Sequence, residues 1–439
     1  MSILSGRKIN VKNQAQTKQS SVGRLGRWVG VGLLKLVGGL VALVSMVPVV
    51  LLPVATAVPF TLFMLLALVD MGLLVYLFVK VGSVVAKTAV FAGIILVSAM
   101  AVLLSQWYAT TPPIVGDDGQ PLPGSVAELI EVEVNGRNQW ISVRGHDVNK
   151  PVLLFLAGGP GGSQLATVRR TLNGLEEHFV VVNWEQPGAG KSFNVADRKS
   201  LTPESYIQDG VQLVGYLQNR FGEEKVYVMG ESWGSALGIM LVQRYPEMFH
   251  AFIGTGQMVA FLENDLLCYD FALNWAQERG DLQKVERLRQ QGPPPYYGEG
   301  IAMKQAAYLM DTFNYMSQDP NIPNGGFNTF GDLASVEYGL MDKVNWARGP
   351  LDTLGVVYPH LWEVDFRQQV TKLDVPVYFL IGRHDVNAPV HLTEEYYDLL
   401  DAPQKALIWF EQSGHTPWVE ESEKVVDVMA NRVLVETYP

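Results

Sequence analysis

Between residues 28 and 107 the chain is almost continuously apolar. Residues 36–69 contain no charged side chain over 34 positions, whereas one membrane-spanning helix needs only about 20 apolar residues. Pro48, Pro53 and Pro59 interrupt this stretch, and proline tends to end or kink a helix. Residues 1–110 therefore read as a membrane region inserted in a lipid bilayer. We predict three transmembrane helices, over about 28–51, 55–79 and 84–107.

Basic residues predict the orientation of these helices, because Lys and Arg are enriched on the cytoplasmic side. Lys80 and Lys87 flank the loop between the second and third spans. With three spans, this loop and the basic residues before the first span both put the N-terminus in the cytoplasm and the C-terminal part outside. With two spans, the C-terminal part would lie in the cytosol. Asp70 lies inside the second span, and the sequence assigns it no role. Six basic residues and no acidic one precede the first span: Arg7, Lys8, Lys12, Lys18, Arg24 and Arg27.

Four short apolar runs in the C-terminal part read as buried strands. In open sheets of parallel strands, ligand sites lie just beyond the carboxyl ends of the strands. The residues that follow these four runs are therefore candidates for one shared site. The runs are residues 153–156, 226–229, 375–381 and 406–410.

The second run leads into Gly-Glu-Ser-Trp-Gly at residues 230–234, and a helix-like run follows at 236–242. Ser232 then stands at the apex of a sharp strand-to-helix turn, with glycines on both sides to prevent clashes. A serine hydroxyl is a weak nucleophile unless a base reaches it, so it must stand clear of the sheet. We predict that Ser232 is a catalytic nucleophile; a buried turn serine is the alternative.

An acid and a histidine follow such a serine in chain order. Asp385 lies four residues past the end of the third run, and His415 lies five residues past the end of the fourth. Asp385 would hold the imidazole of His415 in the useful tautomer, and His415 would take the proton from Ser232. Turn capping is the alternative role for Asp385. His384 is the nearest rival histidine, but it adjoins the acid.

The first run ends in a glycine-rich loop, Ala-Gly-Gly-Pro-Gly-Gly at residues 157–162, which we name the oxyanion loop. Backbone amides in such a loop can point into a cleft and stabilise a developing oxyanion. The expected donors are the N–H groups of Gly159 and of Trp233, the residue after the nucleophile. A merely flexible glycine loop is the alternative.

Together, these motifs resemble those of the proline iminopeptidase-like serine peptidases, which have the α/β-hydrolase fold. Residues 157–161 are similar to the family's His-Gly-Gly-Pro-Gly, and residues 230–235 to its Gly-x-Ser-Trp-Gly-Ser. Residues 184–192 are similar to its Trp-Asp-Gln-Arg-Gly-x-Gly-x-Ser. Two departures from the family matter for the site: Ala157 replaces a histidine and Pro187 replaces an arginine.

The resemblance covers residues 127–439 and implies both fold and activity. It implies a mostly parallel sheet formed by residues 127–257 and 373–439. A helical cap at 258–372 would cover the site, and a linker at 111–126 would join the membrane region to the sheet. It implies a serine hydrolase, an aminopeptidase that releases N-terminal residues, proline among them, from short peptides. It also implies that an acidic cap residue holds the free amine of the peptide. Glu263 is the first candidate, with a solvated helix-start carboxylate as the alternative.

Charge and composition narrow the possible partners. The formal net charge is −11, of which residues 1–110 contribute +8. The acidic remainder argues against nucleic acid as a partner and suits cationic, amine-bearing substrates. Cys268 is the single cysteine, so no intramolecular disulfide forms. No His, Cys and carboxylate cluster has metal-ligand spacing, so we expect no metal and no cofactor.

Two other functions remain open at this point. An esterase or lipase that acts on small acyl esters would use the same triad, and only the cap would distinguish it. A membrane-anchored binding module without catalysis is the alternative from another class.

Overall fold

The computed structural model describes residues 36–79, 83–324 and 326–439. The chain divides into two compact units, one that ends at Trp107 and one that begins at Tyr108. The predicted basic residues before the first span, the start of that span at residues 28–35, and Lys80 lie outside the described residues.

The N-terminal unit contains three helices that are long and apolar enough to cross a membrane: α1 (Leu36–Ala55), α2 (Phe60–Val79) and α3 (Val84–Trp107). Apolar side chains on these helices are widely exposed, for example Leu68 at 65% and Phe78 at 60%, as expected for surfaces that face lipid. The first helix was predicted to end near residue 51, but it continues through Pro53 to Ala55. A proline so close to a helix end removes only one backbone hydrogen bond, which the helix tolerates.

The C-terminal unit is built on one eight-stranded sheet. Its spatial order is β1-β2-β4-β3-β5-β6-β7-β8. The first two pairs, β1 with β2 and β2 with β4, are antiparallel, and every other neighbouring pair is parallel. The predicted α/β fold with a mostly parallel sheet is confirmed. The strands are β1 (Val126–Val134), β2 (Arg137–Gly145), β3 (Val152–Leu156), β4 (Val180–Glu185), β5 (Val226–Glu231), β6 (Phe249–Thr255), β7 (Val377–Gly382) and β8 (Lys405–Phe410).

Helices cover both faces of this sheet. The central strands β3, β4, β5 and β7 are buried at every position, which explains why they read as continuous apolar runs rather than as alternating ones. The helices are α4 (Leu165–Thr171), α5 (Pro203–Phe221), α6 (Trp233–Arg244), α7 (Phe261–Glu278), α8 (Leu282–Gln291), α9 (Ile301–Met316), α10 (Thr329–Leu333), α11 (Leu340–Val357), α12 (Phe366–Gln369), α13 (Val390–Leu399), α14 (Pro417–Glu420), α15 (Ser422–Val428) and α16 (Leu434–Thr437).

Successive side chains of β3 enter opposite cores because the side-chain period of a strand is two. Leu154 and Leu156 join the core under α5, α6 and α13, whereas Leu153 and Phe155 join the core under α4 and α15. Packing on both faces holds the carboxyl ends of the parallel strands at one edge, where the candidate residues lie.

The helices α7 to α12 form an insertion between β6 and β7, here called the cap. The two ends of the cap meet in an isolated β-bridge between Ala260 and Asp365. Two backbone hydrogen bonds support this bridge, from Phe261 N–H to Val364 and from Phe366 N–H to Val259. The cap therefore leaves and rejoins the sheet at one point, near the edge that carries the candidate site.

Candidate active site

Ser232 lies on the sharp turn between β5 and α6, with φ of 54° and ψ of −119°. A positive φ is uncommon for a residue with a side chain and costs conformational energy. The flanking glycines make the turn possible. A Cβ at Gly230 would collide with the Gly234 carbonyl, and one at Gly234 would collide with the Leu156 carbonyl. The hydrogen bond from Ser232 N–H to the Thr255 carbonyl, 3.0 Å, holds the turn against β6.

Asp385 and His415 are brought together by the loops that follow β7 and β8. The Asp385 Oδ2 atom lies 2.9 Å from Nδ1 of His415, and both side chains are buried. The two loops pass so closely that a Cβ at Gly382 would collide with the Gly414 carbonyl. The structure thus places the predicted acid next to the predicted histidine.

We expect Gly382→Ala to separate these loops. The added methyl group must push the Gly414 carbonyl away, and such overpacking costs about 1–3 kcal/mol of the free energy of unfolding. The apparent melting temperature should fall, and so should the rate at which a fluorophosphonate labels Ser232. Gly215→Ala in α5 is the matched control, because a Cβ at Gly215 meets nothing within 4 Å. That control should keep or raise the melting temperature, and equal effects of the two changes would contradict this account.

Asp385 also caps its own turn. Its Oδ1 atom accepts the backbone N–H groups of Asn387 at 2.8 Å and Ala388 at 2.9 Å. The capping alternative and the catalytic interpretation therefore coexist on the two oxygens of one carboxylate. The rival His384 faces elsewhere: its Nδ1 lies 3.2 Å from Asp319, and its Nε2 lies 3.1 Å from the Glu411 carbonyl.

The oxyanion loop contains Gly159 in a left-handed conformation, with φ of +125°. Gln186 supports this loop from the neighbouring strand end. Its amide donates to the Ala157 carbonyl at 3.0 Å, and its carbonyl accepts from the indole N–H of Trp233 at 2.9 Å. Gln186 therefore ties together the two segments that carry the predicted oxyanion donors.

A small pocket opens at this point between the sheet edge and the cap. Its cavity volume is about 40 Å³, enough for a few water molecules. The lining residues include the predicted Gly159, Ser232 and Trp233, together with the cap residues Phe261, Asn264, Asp265, Leu309, Leu354 and Tyr358.

Carboxylates dominate the electrostatics of His415. Burial alone lowers the pKa of its imidazole, but Asp385, Glu231 and Glu420 together outweigh that effect and raise the pKa to about 9. The Nε2 atom is buried and has no hydrogen-bond partner among the described residues. The imidazole is therefore strongly basic and holds a proton at neutral pH, so it can act as a base only in its deprotonated form.

The structure does not place Glu263 in this pocket. Its side chain is 47% exposed and forms an ion pair with Arg367, which also pairs with Asp365 and Glu395. The alternative of a solvated carboxylate at the helix start thus describes Glu263 better. The side chain faces solvent, and Arg367 already neutralises its charge.

Two residues further along the same helix, Asp265 does line the pocket. It is fully buried and accepts hydrogen bonds from Gln305 at 2.9 Å, from Tyr358 at 2.8 Å and from Tyr308. All three donors are neutral, and burial raises the pKa of this carboxyl group. The sequence analysis did not single out Asp265. The available signal was an acidic residue directly before two leucines, in Asn-Asp-Leu-Leu at 264–267.

Cys268 belongs to the support of the acid loop. Its thiol is buried and lies 3.2 Å from the Asn387 carbonyl, and Asn264 donates to the same carbonyl at 3.0 Å. Thr312 contacts the Asn387 amide oxygen at 2.8 Å. Cap helices α7 and α9 thus hold the turn that carries Asp385. Within the described ranges, no group of three His, Cys, Asp or Glu residues has a metal-binding arrangement.

Comparisons with known proteins agree with the fold of the C-terminal unit. Residues 151–291 match the family model of the alpha/beta hydrolase fold. The chain is 29% identical over 311 residues to the probable aminopeptidase YbaC of Bacillus subtilis strain 168. This alignment covers 69% of this chain and 94% of that protein. It is 24% identical over 284 residues to the proline iminopeptidase of Heyndrickxia coagulans, over 64% of this chain and 89% of that protein.

A solved structure has the same fold. The proline iminopeptidase-related protein of Thermus thermophilus superposes with a TM-score of 0.51 at 20% identity, over 72% of this chain and 99% of that one. The sheet order and these comparisons show that the C-terminal unit has the α/β-hydrolase fold, and its sequence is similar to those of a probable aminopeptidase and a proline iminopeptidase.

Proposed function

We propose that this protein is a membrane-anchored serine aminopeptidase that removes N-terminal residues from short peptides. The observation that carries the proposal is the Asp265 carboxylate in the pocket that Ser232 lines, which forms no ion pair with a cation among the described residues. A free peptide amine is a cation, and a buried carboxylate with only neutral donors provides the opposite charge. The relatives named as aminopeptidase and proline iminopeptidase support the same class of substrate.

In the proposed reaction, Ser232 Oγ attacks the carbonyl carbon of the first residue while His415 Nε2 takes its proton. Asp385 stabilises the imidazolium through Nδ1. The N–H groups of Gly159 and Trp233 stabilise the oxyanion of the tetrahedral intermediate. His415 then protonates the leaving amine, and an acyl-enzyme remains. Water, deprotonated by His415, releases the N-terminal residue and restores Ser232.

Asp265 gives this mechanism its selectivity for the amine end. Its hydrogen-bond partners among the described residues are neutral side chains on α7, on α9 and just after α11. Glu263, by contrast, forms its ion pair on the exposed side of α7. A purely structural role, in which Asp265 only joins cap helices, predicts no dependence on the substrate amine. Amine dependence therefore separates the two roles.

The experiment is a matched substrate panel for the full-length protein in detergent micelles. It contains prolyl, alanyl and leucyl arylamides, their N-blocked forms and short acyl esters, with Ser232→Ala as the control. A preference for free-amine arylamides, lost on blocking, supports the aminopeptidase. Fast ester turnover with indifference to the amine would replace it by an esterase, and no turnover of any substrate would favour a binding module.

We also propose that α1, α2 and α3 span a membrane and that the hydrolase unit faces outward. The single native cysteine is buried, so cysteines introduced at Gln120 and Ser83 can report the side of each segment. In intact cells, a membrane-impermeant maleimide should label Gln120→Cys but label Ser83→Cys only after permeabilisation. The unmodified chain is the background control. Labelling of Ser83→Cys alone in intact cells would reverse the orientation.

A further inference from the structure

Glu231 is a buried carboxylate that the mechanism above leaves without a task. It ends β5, directly before Ser232, and only 3% of it is exposed. A buried carboxylate needs hydrogen bonds or a cation to offset its lost hydration. The partners of Glu231 therefore indicate what the residue does.

One set of partners belongs to the oxyanion loop and the residues just after it. The Oε2 atom accepts a hydrogen bond from the Gln164 amide at 3.0 Å, and the backbone N–H of Gly158 also donates to this carboxylate. A Cβ at Gly158 would collide with Oε2. Glu231 thus packs directly against the loop and fixes the residue that precedes Gly159.

The other partner is the catalytic imidazole. The Oε1 atom of Glu231 lies 3.7 Å from Nε2 of His415, while Nδ1 of the same ring contacts Asp385 at 2.9 Å. A positive charge on the ring therefore has one carboxylate near each nitrogen. Opposite charges at about 4–6 Å favour the charged form of a histidine.

We propose that Glu231 is a positioning residue that couples the oxyanion loop to the charge on His415. When His415 takes the proton of Ser232, the new positive charge attracts the Glu231 carboxylate, which in turn holds Gly158 by its N–H. Base protonation and the placement of the Gly159 amide then support each other in the same step. The inference rests on the proposed function only in needing Ser232 as the nucleophile.

The charged groups that face His415 come from three elements: Asp385 after β7, Glu231 at the end of β5 and Glu420 on α14. Burial raises the pKa of Glu231, and the imidazolium together with the Gln164 and Gly158 hydrogen bonds opposes that rise. Burial likewise raises the pKa of Glu420 to about 7, against the hydrogen bond from Gly414 N–H. Removal of one carboxylate must therefore weaken the proton affinity of His415.

The test is the pH dependence of the labelling rate of the full-length protein with a fluorophosphonate, which needs Ser232 and His415 but no peptide. In Glu231→Gln, the acid limb of the profile should move to lower pH by about 1–3 units, the usual effect of an opposite charge at this distance. The plateau rate should fall, because the imidazolium and the loop are both less supported. Glu204→Gln, a surface change, should leave the profile unmoved.

A normal plateau with an unmoved acid limb in Glu231→Gln would overturn the coupling. A lower rate with an unmoved limb would reduce Glu231 to a purely structural role and would overturn it too. If Glu231→Gln does not fold, Glu231→Asp keeps the charge at a longer distance and must move the limb in the same direction by less. Absence of labelling in the unmodified protein would instead refute the proposed serine nucleophile, so the two failures are distinguishable.

Discussion

Ser232→Ala is expected to lower kcat by about a million-fold, the loss seen when a triad serine is removed. The strained turn places this hydroxyl at the sheet edge, and Ser232 is the only serine, threonine or cysteine among the described residues that line the pocket. Covalent labelling by a fluorophosphonate, followed by intact-mass measurement, should disappear in the same variant. The apparent melting temperature should stay close to that of the unmodified protein, because alanine leaves the turn glycines in place.

The histidines provide the matched comparison for this first prediction. His415→Ala should lose labelling almost as completely, whereas His384→Ala should keep it, because His384 contacts Asp319 and the Glu411 carbonyl. Full labelling of Ser232→Ala, or loss of labelling in His384→Ala with His415→Ala still active, would refute the assignment.

The second large effect is expected for Asp265→Asn, which removes a charge and keeps the shape. Truncation of one partner of a buried, hydrogen-bonded charge pair costs about 2–5 kcal/mol, which corresponds to roughly a 30- to 4,000-fold loss. We expect this loss in kcat/KM for free-amine arylamides, and little change for N-blocked arylamides or esters. The measurement is the ratio of the two kcat/KM values in each variant.

Glu263→Gln is the control for that second prediction. It removes a carboxylate from the same helix, but one that is exposed and paired with Arg367, so the amine preference should persist. Equal losses for blocked and free substrates in Asp265→Asn would mean that Asp265 only joins the cap helices. A loss of amine preference in Glu263→Gln instead would restore the original prediction for that residue.

The sequence identified the triad candidates because each of them lies a few residues after a short apolar run, at 226–229, 375–381 or 406–410. Buried parallel strands are easy to recognise, and their carboxyl ends must meet at one edge. Ser232, Asp385 and His415 could therefore be named before the sheet order was known. Their hydrogen bonds, and the capping of the turn by Asp385, depend on loop paths that no local pattern encodes.

The cap was harder to predict, for a geometric reason. Glu263 and Asp265 are two positions apart on α7, so they point to different sides of the helix. Other cap helices contact one side of α7, and Arg367 contacts the other. The sequence of α7 therefore shows no clear apolar stripe that would indicate its buried side. Only the packing of α9 and Tyr358 decides that Asp265 is the buried one.

Glu231 shows a third kind of limit. It occupies the variable position of the Gly-x-Ser-x-Gly motif, where the motif itself requires no particular side chain. Its burial follows from the approach of the oxyanion loop and of His415, two segments far away in sequence. A contact among three distant segments is tertiary information, and a single sequence does not contain it in readable form.

The most direct test of the central claim is kcat/KM of the full-length protein for one matched pair, alanyl arylamide and its N-acetyl form, with Ser232→Ala as the blank. The account predicts that acetylation, which removes the cationic amine that Asp265 would bind, lowers kcat/KM by at least about 30-fold. Equal values for the two substrates, with turnover that still depends on Ser232, would contradict an aminopeptidase and leave a serine hydrolase of another specificity.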